Sequence, residues 1–93
     1  MALHLLGSMN TDVVANCLAS IDSDDGVLLL GDGVYVLLSE PSLSVLRASN
    51  AQLFALNEDV QLRLPDLHTS VTLVSYAQWV ELCVKSGPTI SWY

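Results

Sequence analysis

Positive charge is scarce in this sequence. Its 93 residues hold three cationic side chains, Arg47, Arg63 and Lys85, against ten Asp and Glu, for a net charge of −7. A protein that grips a nucleic-acid backbone replaces condensed counterions with Lys and Arg, and three cations build no basic patch. An anionic membrane surface is disfavoured for the same reason. Cysteine is scarce too: Cys17 and Cys83 set no disulfide framework, and a reducing cytoplasm is the simplest setting. No apolar stretch approaches membrane-spanning length, and no basic segment followed by an apolar run marks a signal peptide. The glycine-rich dinucleotide pattern and the Lys-Ser/Thr of nucleotide-binding loops are both absent.

What is present is apolar. Hydrophobic residues make up 52% of the chain and charged residues only 14%, less charge than a solvated globular surface usually carries. Part of the surface is therefore expected to lie under other chains; the competing reading is a dense core beneath a Ser, Asn and Thr surface. The length accommodates one domain, residues 1–93.

Strand and helix signals alternate along the chain. Leu3-His4-Leu5-Leu6 reads as a first strand. Thr11 or Asp12 can cap a helix whose apolar face is Val13, Val14, Cys17, Leu18 and Ile21. The Asp22–Gly26 run ends it, and Val27-Leu28-Leu29-Leu30 suits a strand covered on both faces. After Gly31-Asp32-Gly33 two readings compete. Asp-Gly favours a hairpin returning through Val34–Leu38, whereas Val34, Leu37 and Leu38 have helical spacing. Ser39-Glu40-Pro41 starts a short helix with Leu43, Leu46 and Arg47, and Gln52–Leu56 is the next strand. Asn57 is placed to cap a brief helix with Glu58 and Asp59 in its first turn. Val71–Val74 is a β-branched strand. Ser75 and Gln78 have capping-box spacing, opening a helix from about Tyr76 to Ser86 whose apolar face is Tyr76, Trp79, Val80, Cys83 and Val84. Gly87-Pro88 ends it, and Thr89–Tyr93 is a final strand. The alternation predicts an α/β fold, a three-layer sandwich with a mainly parallel sheet of about five strands.

Few side chains can carry chemistry. His4, His68, Cys17 and Cys83 match no zinc spacing, so no metal and no cofactor are expected. His4 reads as a semi-buried histidine bonded to backbone. Cys17 is the one candidate for covalent sulfur chemistry, but it lies mid-helix on an apolar face, and thiolates form best beside cations or helix N-termini. Asp32 and Gly33 follow one strand and Asn57, Glu58 and Asp59 follow another, where α/β proteins tend to place functional groups. These five residues read either as a polar rim that meets a partner or as two capped turns. Trp92 and Tyr93 would also suit an interface, because such rings supply large contact area.

Taken together, the Leu3-His4-Leu5 strand, the Val27–Val34 segment with Gly31-Asp32-Gly33, Ala55-Leu56-Asn57-Glu58-Asp59, Ser75–Leu82 and the Trp92 region resemble the TusB/DsrH family of sulfur-relay proteins nearly end to end. The resemblance implies a bacterial cytoplasmic subunit of a TusBCD complex, a dimer of heterotrimers that relays persulfide sulfur toward 2-thiolation of the wobble uridine of certain tRNAs. An analogous DsrEFH complex serves sulfur oxidation. In both, the essential cysteine is carried by a TusD/DsrE-like subunit, and the partners implied here are TusC-like and TusD-like chains. Asn16-Cys17-Leu18 resembles the place where DsrH-like members carry a cysteine. The chain departs from its relatives near Ser8-Met9-Asn10, where they often show Ser-Pro, and its polar link before Leu53 is short. The resemblance also favours a short helical or irregular segment over Gly33–Leu38. Three readings stay open: a non-catalytic subunit of a sulfur-transfer assembly, a carrier using Cys17, and an unrelated acidic interaction domain.

Overall fold

The computed structural model describes residues Met1–Tyr93. Five strands form one parallel sheet in the order β4-β3-β2-β1-β5: β1 Leu3–Leu6, β2 Gly26–Leu29, β3 Gln52–Leu56, β4 Thr72–Val74 and β5 Thr89–Trp92. Four helices connect them: α1 Thr11–Ser20, α2 Glu40–Ala48, α3 Asn57–Arg63 and α4 Tyr76–Lys85. The expected three-layer α/β sandwich is the observed fold.

The strand order dictates the layers. From β1 through β4 the chain steps in one direction across the sheet, and right-handed crossovers put α1, α2 and α3 on a single face. The last step reverses, carrying the chain from β4 past the whole sheet to the far side of β1. The same handedness then places α4 on the opposite face, alone. The two cores are correspondingly unequal. Thirteen buried residues, among them Leu6, Val14, Cys17, Val27, Leu29, Leu46 and Val60, fill the three-helix side. Four, Leu3, Leu5, Leu28 and Val74, lie under α4.

Residues 31–38 resolve the conflict left by the sequence. They form neither a hairpin strand nor an α-helix but an eight-residue 3₁₀ helix, Gly31–Leu38. Gly33, Val34, Val36 and Leu37 are buried there, and pairs three residues apart (33 with 36, 34 with 37) share a face in a helix of three residues per turn. Leu38, placed on the apolar stripe by α-helical spacing, is instead 60% exposed. Two glycines make the segment fit. Gly31 has φ +52°, a region that other residues avoid. Gly33 lies so close to β1 that a Cβ would collide with the Leu6 carbonyl oxygen.

Two caps differ from expectation. α1 is capped by Asn10, whose Oδ1 accepts from the backbone N–H groups of Asp12 and Val13, not by Thr11 or Asp12. Asn57 does not cap α3: it is the first helical residue, and its Oδ1 accepts from Gln61 Nε2 at 3.3 Å. The capping box at α4 is as expected, with Gln78 N–H donating to Ser75 Oγ and Ser75 N–H donating to Gln78 Oε1 at 2.8 Å. Ser75→Ala should therefore lower the unfolding free energy by about 1 kcal/mol, read as a shift of the urea midpoint. No helix is long and apolar enough to cross a membrane.

Candidate functional site

In a parallel sheet every strand ends on the same edge, and the expected rim residues gather there. Asp59, in the first turn of α3, accepts the Gly31 N–H on Oδ2 at 2.7 Å. Arg63, one turn further on, donates to Asp59 Oδ1 at 3.5 Å and to Asp32 Oδ1 at 3.2 Å. Asp32 and Asp59, from separate loops, are thus tied through one guanidinium. Gly33 is buried behind them, Glu58 is exposed and Asn57 is half-buried. Arg63 escaped the sequence reading, although Asp59 and Arg63 stand at i, i+4 spacing. The pair with Asp32 is solvent-exposed on the Asp32 side, so it positions the loops and adds little stability.

Cys17 is fully buried among the core residues of the three-helix side. Burial pushes its thiol up to about 11, because the apolar surroundings disfavour the charged form. At neutral pH the group is a thiol and not the thiolate that sulfur transfer uses. Cys83, on α4, is free and half-buried against the smaller core.

A second polar constellation lies inside the fold. His4 is 1% exposed. Its Nε2 lies 2.8 Å from Asp25 Oδ2, and Trp92 Nε1–H donates to its Nδ1 at 3.1 Å. Indole nitrogen can only donate, so Nδ1 is the acceptor and Nε2 carries the proton given to Asp25. The expectation of backbone partners for His4 is corrected: both its partners are side chains. Asp25 also accepts from the backbone N–H of Ala2 and of Asp22, each at 3.0 Å. These bonds, Asp22 and Ala2 first and then His4, hold its carboxyl down to about 2. An Asp–His pair is the base and orienter of a catalytic triad, but the third position here is an N–H donor with no nucleophilic lone pair, and the imidazole has no access to solvent. The array ties β5 to β1 and to the turn before β2. Trp92, read from the sequence as suited to an interface, is half-buried and stacks with His4 at a centroid distance of 6.2 Å. Tyr93 is 68% exposed, with one ring edge against Gly7.

The largest exposed apolar feature is elsewhere. Tyr76, Trp79, Val80, Cys83 and Val84 line an open groove of about 410 Å³ on α4, and no residue of that helix is fully buried. The Trp79 indole N–H is covered yet has no hydrogen-bond partner. Nothing in the hydrophobic spacing of α4 distinguished a face that covers the sheet from one that also needs a cover of its own.

Comparison with known proteins agrees with this architecture. Residues 8–88 match the model of the family described as DsrH like protein. Proteins called TusB from Yersinia pestis and Yersinia pseudotuberculosis are 36% identical over 73 residues, covering 75% of this chain and 77% of theirs. The solution structure of a Thermotoga maritima protein superposes with a TM-score of 0.64 at 22% identity, over 90% of this chain and 92% of that one, and shows the fold alone. By sequence over most of its length, the chain belongs to the TusB/DsrH family.

Proposed function

We propose that this chain is a mainly structural subunit of a cytoplasmic sulfurtransferase complex that relays persulfide sulfur for 2-thiolation of the tRNA wobble uridine, with the active cysteine on a partner subunit. The observation that carries the reading is the state of Cys17. In a family tied to sulfur relay, the thiol at the position where some members carry a cysteine is sealed in the core and held protonated. The partners are TusC-like and TusD-like chains in a dimer of heterotrimers. The net charge of −7 leaves any contact with tRNA to those partners, and neither a metal nor a cofactor enters the role.

The test is co-expression with TusC-like and TusD-like chains. The three are expected to co-purify, and the complex carrying Cys17→Ala should transfer sulfur at the wild-type rate. The variant should cost about 1 kcal/mol of stability, from the lost sulfur and the small cavity it leaves. A wild-type chain that remains a monomer beside both partners, or a complex whose transfer is abolished by Cys17→Ala, contradicts the proposal.

A further inference from the structure

Strand β5 forms an edge of the sheet and pairs with β1 alone. Of its four residues Thr89, Ile90 and Ser91 are exposed, and only Trp92 is half-buried. The Trp92 indole N–H donates to His4 Nδ1 at 3.1 Å, and the other nitrogen of that buried ring is already committed to Asp25. The imidazole therefore holds Trp92 only in its neutral form. A proton added at Nδ1 turns the acceptor into a donor, and the indole nitrogen can only donate. Two N–H groups would then face each other across the same gap, and a buried donor left without an acceptor is costly.

The charges around the ring favour that proton, and the indole opposes it. Asp25 stays a carboxylate near neutral pH, held down to about 2 by the Asp22 and Ala2 N–H groups and by His4, and an imidazolium bonds a carboxylate more strongly than a neutral ring does. Asp22 and Asp24, exposed in the same turn, carry the same sign. Alternation along β1 puts His4 on the three-helix face with Leu6, where α1 packs against β1 and β5. From α1 come Asp12, exposed in the first turn, and Cys17, a neutral thiol. β2 and β5 carry no titratable side chain, and Tyr93, beyond β5, is exposed. The form in which Trp92 has left Nδ1 binds a proton that the latched form excludes, so falling pH shifts the population toward the unlatched form. We propose that His4 and Trp92 are a proton-operated latch: protonation of His4 releases Trp92 and frees the end of β5 from the sheet. By linkage, anything that draws Trp92 away favours proton uptake by His4. The latch is a property of the chain itself and does not depend on its reading as a complex subunit.

The full chain is followed by NMR from about pH 8 to about pH 5, the range in which histidine changes charge. The carbon-bound ring protons report protonation of His4, and amide hydrogen exchange, expressed as protection factors, reports the strand. As His4 protonates, protection across 89–93 is expected to fall about tenfold while that of β2 holds, and the Trp92 indole N–H should lose its protection in step. Trp92→Phe keeps an aromatic ring but has no N–H, so its β5 should be weakly protected at both ends of the range, with no pH dependence. The wild-type measurement decides by itself if that variant does not fold. β5 protection unaltered once His4 is protonated overturns the proposal, as does a His4 that stays neutral throughout the range. An equal fall in Trp92→Phe also overturns it, by assigning the loosening to another group.

Discussion

Gly33→Ala should lower the unfolding free energy by about 3 kcal/mol or more, at the upper end of overpacking penalties. The added methyl carbon would collide with the Leu6 carbonyl oxygen and lie 2.7 Å from its carbonyl carbon. Both are backbone atoms of a central strand that pairs with β2 and β5, so neither can rotate away as a side-chain tip would. Relief requires the 3₁₀ segment to lift off β1, which exposes Val34 and Val36, both fully buried. Gly31→Ala makes the contrast. Its Cβ would have room, with the nearest atom at 3.8 Å, and only the positive φ opposes it, at a cost of about 1 kcal/mol. Urea unfolding of the two variants checks both the sizes and their order. Equal effects would mean that the backbone approach at Gly33 is not what limits the site.

Asp25→Asn should cost about 2–4 kcal/mol, the range for breaking a buried, charge-assisted network. The carboxylate accepts from three donors: Ala2 N–H, Asp22 N–H and His4 Nε2–H. An asparagine of the same shape must turn an NH₂ toward at least one of them, leaving two donors face to face. The carboxylate also sets an acid limit. Its folded value, about 2, lies below the ordinary 3.8. Between those values the unfolded chain binds more protons than the folded one. The stabilisation is therefore complete above about pH 4 and is lost as pH falls toward about 2. Wild type should show a stability slope across that window, and Asp25→Asn should lose most of it. Equilibrium denaturation at several pH values makes the measurement. An unchanged slope in the variant would assign the acid sensitivity to other carboxylates.

Local signals carried most of the fold into the sequence. The four-residue apolar run before Gly31 read as a buried strand because parallel strands are covered on both faces; β2 lies one residue earlier, at Gly26–Leu29, buried at all four positions, with Leu30 half-buried beyond its end. The Ser75–Gln78 box fixed the start of α4 because both of its partners lie within four residues. Illegible features depend on long-range approach. Asp25 looked like one acid in a helix-ending turn, and its importance comes from Ala2, His4 and Trp92, the last brought near only when β5 pairs with β1. Gly33 looked like a turn residue until Leu6 was placed against it. The segment 34–38 misled because Val and Tyr favour strands locally, while its burial follows a three-residue period. At the rim, Asp32 and Asp59 were legible as the ends of two strands, but their joint partner Arg63 was not. The direction of the α4 groove depends on the return of the chain from β4 to β5, a step that no local pattern encodes.

The central claim is that this subunit supports sulfur transfer without carrying the sulfur. It is tested most directly by intact-mass and peptide mass spectrometry of the assembled complex after incubation with a persulfide donor, under non-reducing conditions. The account predicts an added sulfur on a cysteine of a partner subunit and none on the Cys17 peptide, because that thiol is buried and held at about 11. Stoichiometric persulfide on Cys17 would contradict it.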